Sequence, residues 1–220
     1  MTQHALGRNP EDLFDILRGI AALTQNRVVA RMAATVARHP RADLAIAFNH
    51  KQIGSKLWLR DTLAEYIGGR IDGIWILGGW HGVLAAILQD DARLDCGKIT
   101  TIDLDPGCKA VAETLNAPAL AAGRFEALIA DMNTLDYAKA PEMIVNTSCE
   151  HLPDVKGWRA KIPAGRLVLL QSNNYFREPD HVSCVADLAA FRAQVGLSEV
   201  IFAGERETKN YTRFMLIGRT

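Results

Sequence analysis

The sequence predicts an α/β protein: a seven-stranded, mostly parallel sheet with helices on both faces, a helical N-terminal extension and a closing antiparallel hairpin. Three observations carry that expectation. From Ile71 onward, short β-rich apolar runs alternate with helical segments at the interval of βαβ units. Residues 1–70 show helical periodicity and no strand pattern. The last two apolar runs are joined only by the short polar stretch Glu205 to Tyr211, so they should pair with each other as antiparallel strands.

Composition narrows the class further. A chain of 220 residues with 49% hydrophobic content fits one α/β domain with an appendage: residues 1–70 as a helical extension or lid, and 71–220 as the sheet domain. Lys and Arg number 25 and so do Asp and Glu, which argues against a nucleic-acid groove. Cys96, Cys108, Cys149 and Cys184 form no Cys-x-x-Cys pair, so neither a zinc ribbon nor a disulfide framework is expected. No metal is expected, and a reducing cytoplasm fits best. Met1-Thr2-Gln3-His4 lacks the regions of a signal peptide, and no apolar run approaches a membrane span.

In order, Asn9-Pro10-Glu11-Asp12 reads as a helix start, with a capping Asn, Pro at the first helical position and acids in the first turn. Leu13, Phe14, Ile16, Leu17, Ile20 and Ala21 follow at helical spacing. A second helix runs from Arg27 to Arg38 and ends at His39-Pro40. A third, roughly Lys56 to Tyr66, closes at Gly68-Gly69. Asn49-His50-Lys51-Gln52 before it reads as a solvated turn. Strands are expected at Gly73–Leu77, Lys98–Asp103, Phe125–Ala130, Met143–Asn146, Arg166–Gln171, Glu199–Gly204 and Thr212–Gly218. Helices fill the gaps at Gly82–Gln89, Gly107–Leu115 and Val185–Val195.

Ligands of open α/β sheets bind at the carboxyl ends of the strands, and here five of those ends turn polar. The first ends in Gly78-Gly79-Trp80-His81-Gly82, a glycine turn feeding a helix N-terminus, which suits an adenine nucleotide. The second ends in Asp103-Leu104-Asp105-Pro106. An acid about twenty residues beyond the glycine turn can accept hydrogen bonds from both ribose hydroxyls, while Asp105 reads as the cap of the next helix. The third ends in Asp131-Met132, a carboxylate for an adenine amine and a thioether for its ring plane. The fourth ends in Asn146-Thr147-Ser148-Cys149-Glu150-His151, and the fifth in Gln171-Ser172-Asn173-Asn174-Tyr175.

Over roughly Ile71 to Thr220 these features resemble the class I S-adenosylmethionine-dependent methyltransferases. The resemblance rests on the glycine turn, the Ile-Asp-Leu-Asp-Pro strand end, Asp131, the Asn-Thr-Ser-Cys-Glu-His motif and the terminal hairpin. It implies a Rossmann-like fold and S-adenosylmethionine as cofactor. Gly78, Gly79 and Gly82 would approach its methionine part, Asp103 its ribose, and Asp131 and Met132 its adenine, with Leu104 as a further cofactor contact. The sequence departs from the family at Ile76, where an acid usually anchors the amino group, and at Trp80, which replaces the usual middle glycine. Asn146, Ser148, Asn49 or Gln52 could take over the anchoring. Trp80 reads either as a cation–π partner of the sulfonium or as an indole packing the helix start.

On the acceptor side, His151 is the candidate base because imidazole titrates near neutrality, with Glu150 to orient it or bind an amine. The pair could equally start the next helix. Tyr175 and Asn174 would line the substrate side of the sulfonium, Cys149 reads as a packed thiol, and only the backbone of His81 is expected to matter. The function implied is methyl transfer to a small-molecule acceptor, without nucleic acid or membrane as partner. Two alternatives remain open. An enzyme of this fold can transfer or cyclise the aminocarboxypropyl arm, as azetidine-2-carboxylate synthase and nicotianamine synthase-like proteins do, releasing methylthioadenosine. The chain could also be a non-catalytic cofactor-binding or regulatory subunit.

Overall fold

The structure, a computed structural model, describes residues 10–220. Asn9 and the Met1-Thr2-Gln3-His4 stretch lie outside the described residues. The N-terminal part forms α1 (Pro10–Thr24), α2 (Arg27–Arg38), α3 (Leu44–Ala47) and α4 (His50–Tyr66). Then come β1 (Arg70–Leu77), α5 (Val83–Asp90), β2 (Asp95–Asp103), α6 (Pro106–Leu115), α7 (Ala117–Ala121) and β3 (Phe125–Ile129). The chain continues through β4 (Met143–Asn146), α8 (Val155–Ala160), β5 (Leu167–Asn173), α9 (Leu188–Val195), β6 (Glu199–Glu207) and β7 (Thr212–Arg219).

The seven strands run in the order β3-β2-β1-β4-β5-β7-β6, all parallel except for the antiparallel pairings of β7 with β5 and β6. Strand order reverses between β1 and β4, where Leu77 lies opposite Asn146. A crevice opens outside the carboxyl ends of the strands at such a reversal.

The period-two alternation of the strands sorts the core into two faces. Ile74, Ile76, Met143, Val145, Leu167 and Leu169 pack with Leu59 and Leu63 of α4 and with Leu84 and Leu88 of α5. Their neighbours Leu77, Ile144, Val168 and Leu170 pack with Trp158 of α8 and Phe191 of α9. β4 and β5 are buried along their whole length, as central strands covered on both faces must be. A third cluster holds Leu17 of α1 and Val28, Met32 and Val36 of α2 against Val83, Ile87, Val111 and Leu115 of α5 and α6. The N-terminal helices thus add an outer layer (α1 and α2) and one sheet-covering helix (α4).

Several boundaries differ from the sequence expectation for identifiable reasons. Asn49 is not part of a solvated turn: its side chain accepts the backbone N–H groups of Lys51 and Gln52 and caps α4, which starts a turn and a half earlier than expected. β5 continues through Ser172 and Asn173, which pair with Phe214 and Arg213 of β7 and are fully buried. Their polar side chains hid a strand. Asp187 accepts the N–H of Ala190 and delays the start of α9 to Leu188. Glu150 and His151 do not begin a long helix; Cys149–His151 is a single 3-10 turn, and α8 starts later, capped by Asp154 on Gly157. Asp105 caps α6 through the N–H of Gly107, as expected.

Candidate functional site

At the β1/β4 reversal lies a cavity of about 480 Å³, within the range of roughly 300–1,000 Å³ typical of small-molecule sites. Its wall includes Gly78, Gly79, Trp80, Asp103, Leu104, Asp131, Met132 and Ser148, eight of the ten residues predicted to hold a cofactor. The two others sit behind it. Asn146 is fully buried, accepts the Ser148 N–H at 2.9 Å and donates toward Met132 Sδ at 3.6 Å. Gly82 adopts φ +70° and packs on α6, where an added Cβ would lie 2.6 Å from Asn116 Nδ2. It serves helix packing.

The first turn is bound to the second strand end through its backbone. Trp80 takes φ +46°, a left-handed conformation in which a non-glycine residue is strained. Its N–H donates to Asp103 Oδ2 at 2.7 Å, while the N–H of Asp105 donates to Oδ1 at 3.0 Å. Each oxygen has a second lone pair for a ligand hydroxyl. Gly78, at φ +60°, presents bare backbone to the cavity: a Cβ there would stand 3.7 Å from Met132 Cε and 3.8 Å from Ser148 Oγ. Gly79 instead permits close packing, since its Cβ would be 2.7 Å from Thr101 Cβ.

The third strand end is held by a buried chain of hydrogen bonds. Trp158 Nε1 donates to Tyr137 Oη, whose hydroxyl donates to the Met132 carbonyl, each at 2.7 Å. Asn133 N and Nδ2 both donate to Asp131 Oδ1, leaving Oδ2 its acceptor capacity. Leu104, 69% exposed, adds an apolar wall beside the two acids.

A second cavity of about 300 Å³ adjoins the first, and the two share Gln52, Lys56, Thr147, Ser148 and His151. Glu150, Asn173, Tyr175, His181, Tyr211 and Arg213 also line it. Of the four predicted catalytic residues, His151, Glu150 and Tyr175 line this cavity. Asn174 does not: its Oδ1 accepts the Thr212 N–H at 2.7 Å and ties β5 to the start of β7. Glu150, only 3% exposed, is held by Asn173 Nδ2 at 2.6 Å and by the Arg213 guanidinium at 3.8 Å, both on Oε1. Its Oε2 is buried without a hydrogen-bond partner. Burial raises the Cys149 thiol well above its usual pKa, keeping it protonated and packed.

Several lining residues carry little signal in the sequence. Lys56 lies between the two cavities, donates to Gln52 Oε1 at 2.8 Å, and is pushed down to a pKa of about 7 by burial and then by the nearby Arg213 charge. The available signal was positional: Gln52, Lys56, Leu59 and Leu63 fall on one stripe of α4, so polar residues interrupt its core-facing side. The side chain of His81 is also part of the wall. It is buried against the first cavity, stacks on Trp80 at 4.9 Å and has its basicity lowered by burial. Arg213 and His181 carried no local signal, since both reach the site only through strand pairing and loop packing. Glu150, His151 and His181 each bring one ligand atom within 4.8 Å of the others.

No protein-family model and no curated protein matches the sequence. Solved structures do match by shape. The N-methyltransferase NodS of Bradyrhizobium japonicum WM9, solved with S-adenosyl-l-homocysteine, aligns with TM-score 0.61 at 15% identity over 86% of this chain and 98% of its own. Magnesium protoporphyrin IX methyltransferase (ChlM) of Synechocystis PCC 6803, with the same product bound, gives 0.57 at 13% identity over 88% and 87%. Coclaurine N-methyltransferase, bound to N-methylheliamine and that product, gives 0.59 at 10% identity over 76% and 73%. The chain has the class I S-adenosylmethionine-dependent methyltransferase fold. Among the described residues, no helix is long and apolar enough to cross a membrane.

Proposed function

We propose that this protein binds S-adenosylmethionine in the larger cavity and transfers its methyl group to a small molecule held in the smaller one. The observation that carries this reading is the pair of joined cavities at the strand reversal, one walled by Asp103, Leu104, Asp131 and Met132, the other by polar and titratable side chains. The cavity fits an adenosine on three counts. Gly78 leaves open the space a Cβ would fill, Asp103 is pre-oriented by two backbone N–H groups, and Asp131 has a carboxylate oxygen to spare.

Asp103 would hold the ribose, and Asp131, Met132 and Leu104 the adenine. At the methionine end, where the sequence has Ile76 in place of an acid, Gln52, Lys56 and Ser148 are the polar groups at hand. Bound there, the cofactor would supply an electrophilic methyl group on its sulfonium. The chain's own task is then to orient an acceptor and take up its proton. Lys56 Nζ, whose neutral form is well populated near pH 7, and the exposed His151 imidazole both stand on the boundary between donor and acceptor. Trp80 over the glycine turn narrows the methionine side.

Calorimetry with S-adenosylmethionine and S-adenosylhomocysteine tests the cofactor assignment. Saturable binding of both that is lost in Asp103→Ala is the expected result, and no binding by the wild-type chain would overturn it. Mass spectrometry of turnover with amine and hydroxyl acceptors tests the chemistry. S-adenosylhomocysteine should accumulate, whereas methylthioadenosine would assign the reaction to the aminocarboxypropyl arm instead.

A further inference from the structure

The smaller cavity contains a cluster of three titratable side chains of which the proposed methyl transfer uses His151 at most. Glu150 and His151 leave β4 on one 3-10 turn, and His181 comes from the loop between β5 and α9, thirty residues further on. The two imidazoles meet edge to face, with centroids 4.7 Å apart. One ligand atom from each of the three residues lies within 4.8 Å of the other two.

The protonation pattern follows from the hydrogen bonds. His151 Nδ1 is 3.0 Å from the Asp180 carbonyl, and His181 Nδ1 is 3.0 Å from the Tyr175 carbonyl. A carbonyl oxygen has no proton, so each Nδ1 is the donor and each neutral ring keeps its lone pair on Nε2. Backbone carbonyls on the far nitrogen are the usual second-layer partners of metal-ligating histidines, where they set tautomer and ring orientation. Glu150 is prepared in the same way. Asn173 and Arg213 engage Oε1, while Oε2 is buried with no partner. Leaving a buried carboxylate oxygen unsatisfied is costly unless something else meets it.

We propose that Glu150, His151 and His181 form a binding site for a divalent transition-metal ion. Two imidazoles and one carboxylate suit the manganese-to-zinc series better than magnesium or calcium, which favour all-oxygen surroundings. Three protein ligands leave coordination positions open, and these positions would face the cavity that Tyr175, Tyr211 and Lys56 also line. An oxygen atom of a second ligand could take one of them. The assignment does not depend on the methyl-transfer reading, because its test reads metal binding alone.

The test is titration of the chelator-stripped full-length protein with Co²⁺, followed by visible ligand-field absorption, and with Zn²⁺ by calorimetry. One equivalent should bind saturably. His151→Ala and His181→Ala, both at accessible positions, should each weaken binding at least about tenfold while circular dichroism stays unchanged. Glu150→Gln, which keeps the side-chain shape, should weaken it as well. Absence of saturable binding in the wild type would overturn the site, as would wild-type affinity in both histidine variants. A sulfur-to-cobalt charge-transfer band that disappears in Cys184→Ser would also overturn it, because Cys184 Sγ lies 3.7 Å from His181 Nδ1 and would then be the true ligand.

Discussion

The backbone N–H of Trp80 donates to the Asp103 carboxylate at 2.7 Å, so the strained first turn and the second strand end hold each other in place. Trp80 reaches that bond only by taking φ +46°, a conformation that costs a non-glycine residue about 1–2 kcal/mol. A charge-assisted hydrogen bond of about 1.5–3 kcal/mol is enough to offset it.

Asp103→Ala should therefore have two separable effects. Stability, measured by urea unfolding, should fall by about 1–3 kcal/mol because the N–H groups of Trp80 and Asp105 lose their acceptor. Affinity for S-adenosylmethionine, measured by calorimetry on the folded fraction, should fall by at least about tenfold, the loss of about 1.4 kcal/mol or more of ribose contact. Unchanged affinity would remove Asp103 from the cofactor site.

Gly78→Ala and Gly79→Ala should fail differently. At Gly79 the new methyl would press on Thr101 Cβ at 2.7 Å, so stability should fall by about 1–3 kcal/mol through overpacking. At Gly78 the methyl has room, but φ +60° costs about 1–2 kcal/mol and the methyl enters the cavity between Met132 and Ser148. Thermal melts with and without cofactor check this: the ligand-induced shift should shrink in Gly78→Ala more than in Gly79→Ala.

Arg213→Met should be among the most damaging single changes in the site. It leaves the buried Glu150 carboxylate without its charge partner, a loss of about 3–5 kcal/mol when a buried pair is broken. The double variant Glu150→Gln/Arg213→Met removes the stranded charge and should recover much of that loss in urea unfolding. No recovery would show that Arg213 acts through packing, or through its bond to the Thr147 carbonyl at 3.1 Å.

Lys56 predicts a pH dependence of defined sign. Its folded pKa of about 7 lies below the ordinary lysine value of 10.5, so the folded state binds fewer protons between those values. Folding stability from this group rises as pH goes from about 7 toward 10.5, and the penalty of burying its charge is fully present below pH 7. Lys56→Met should raise stability at pH 6 and flatten the rise between pH 7 and 9.5. Parallel slopes for wild type and variant would contradict the shifted titration.

Much of the larger cavity was legible in the sequence, because each part of it is a local event. A strand end turning polar, a glycine turn and an acid in the next strand end are read within a few residues of one another, and Asp103, Leu104, Asp131, Met132 and Ser148 all line the cavity. The smaller cavity was legible only in part. Glu150, His151 and Tyr175 stood out as polar residues after strands, but Lys56, His181 and Arg213 did not. Lys56 sits on a mixed helix stripe with Gln52, Leu59 and Leu63, Arg213 looks like any polar residue at a strand start, and His181 lies in a loop.

Periodicity and local turn chemistry dictate the alternation of strands and helices, the terminal hairpin and the order of acids along the sheet edge, so these are written in the primary sequence. That Gly82 and Asn146 support the cavity from behind, that Asn174 ties two strands together, and that Glu150, His151 and His181 converge follows from the assembled fold. Those outcomes depend on strand order, loop packing and the competition of buried polar atoms for partners. Such a competition is settled between residues far apart in the chain, as when Arg213 and Asn173 take one oxygen of Glu150 and leave the other for a ligand.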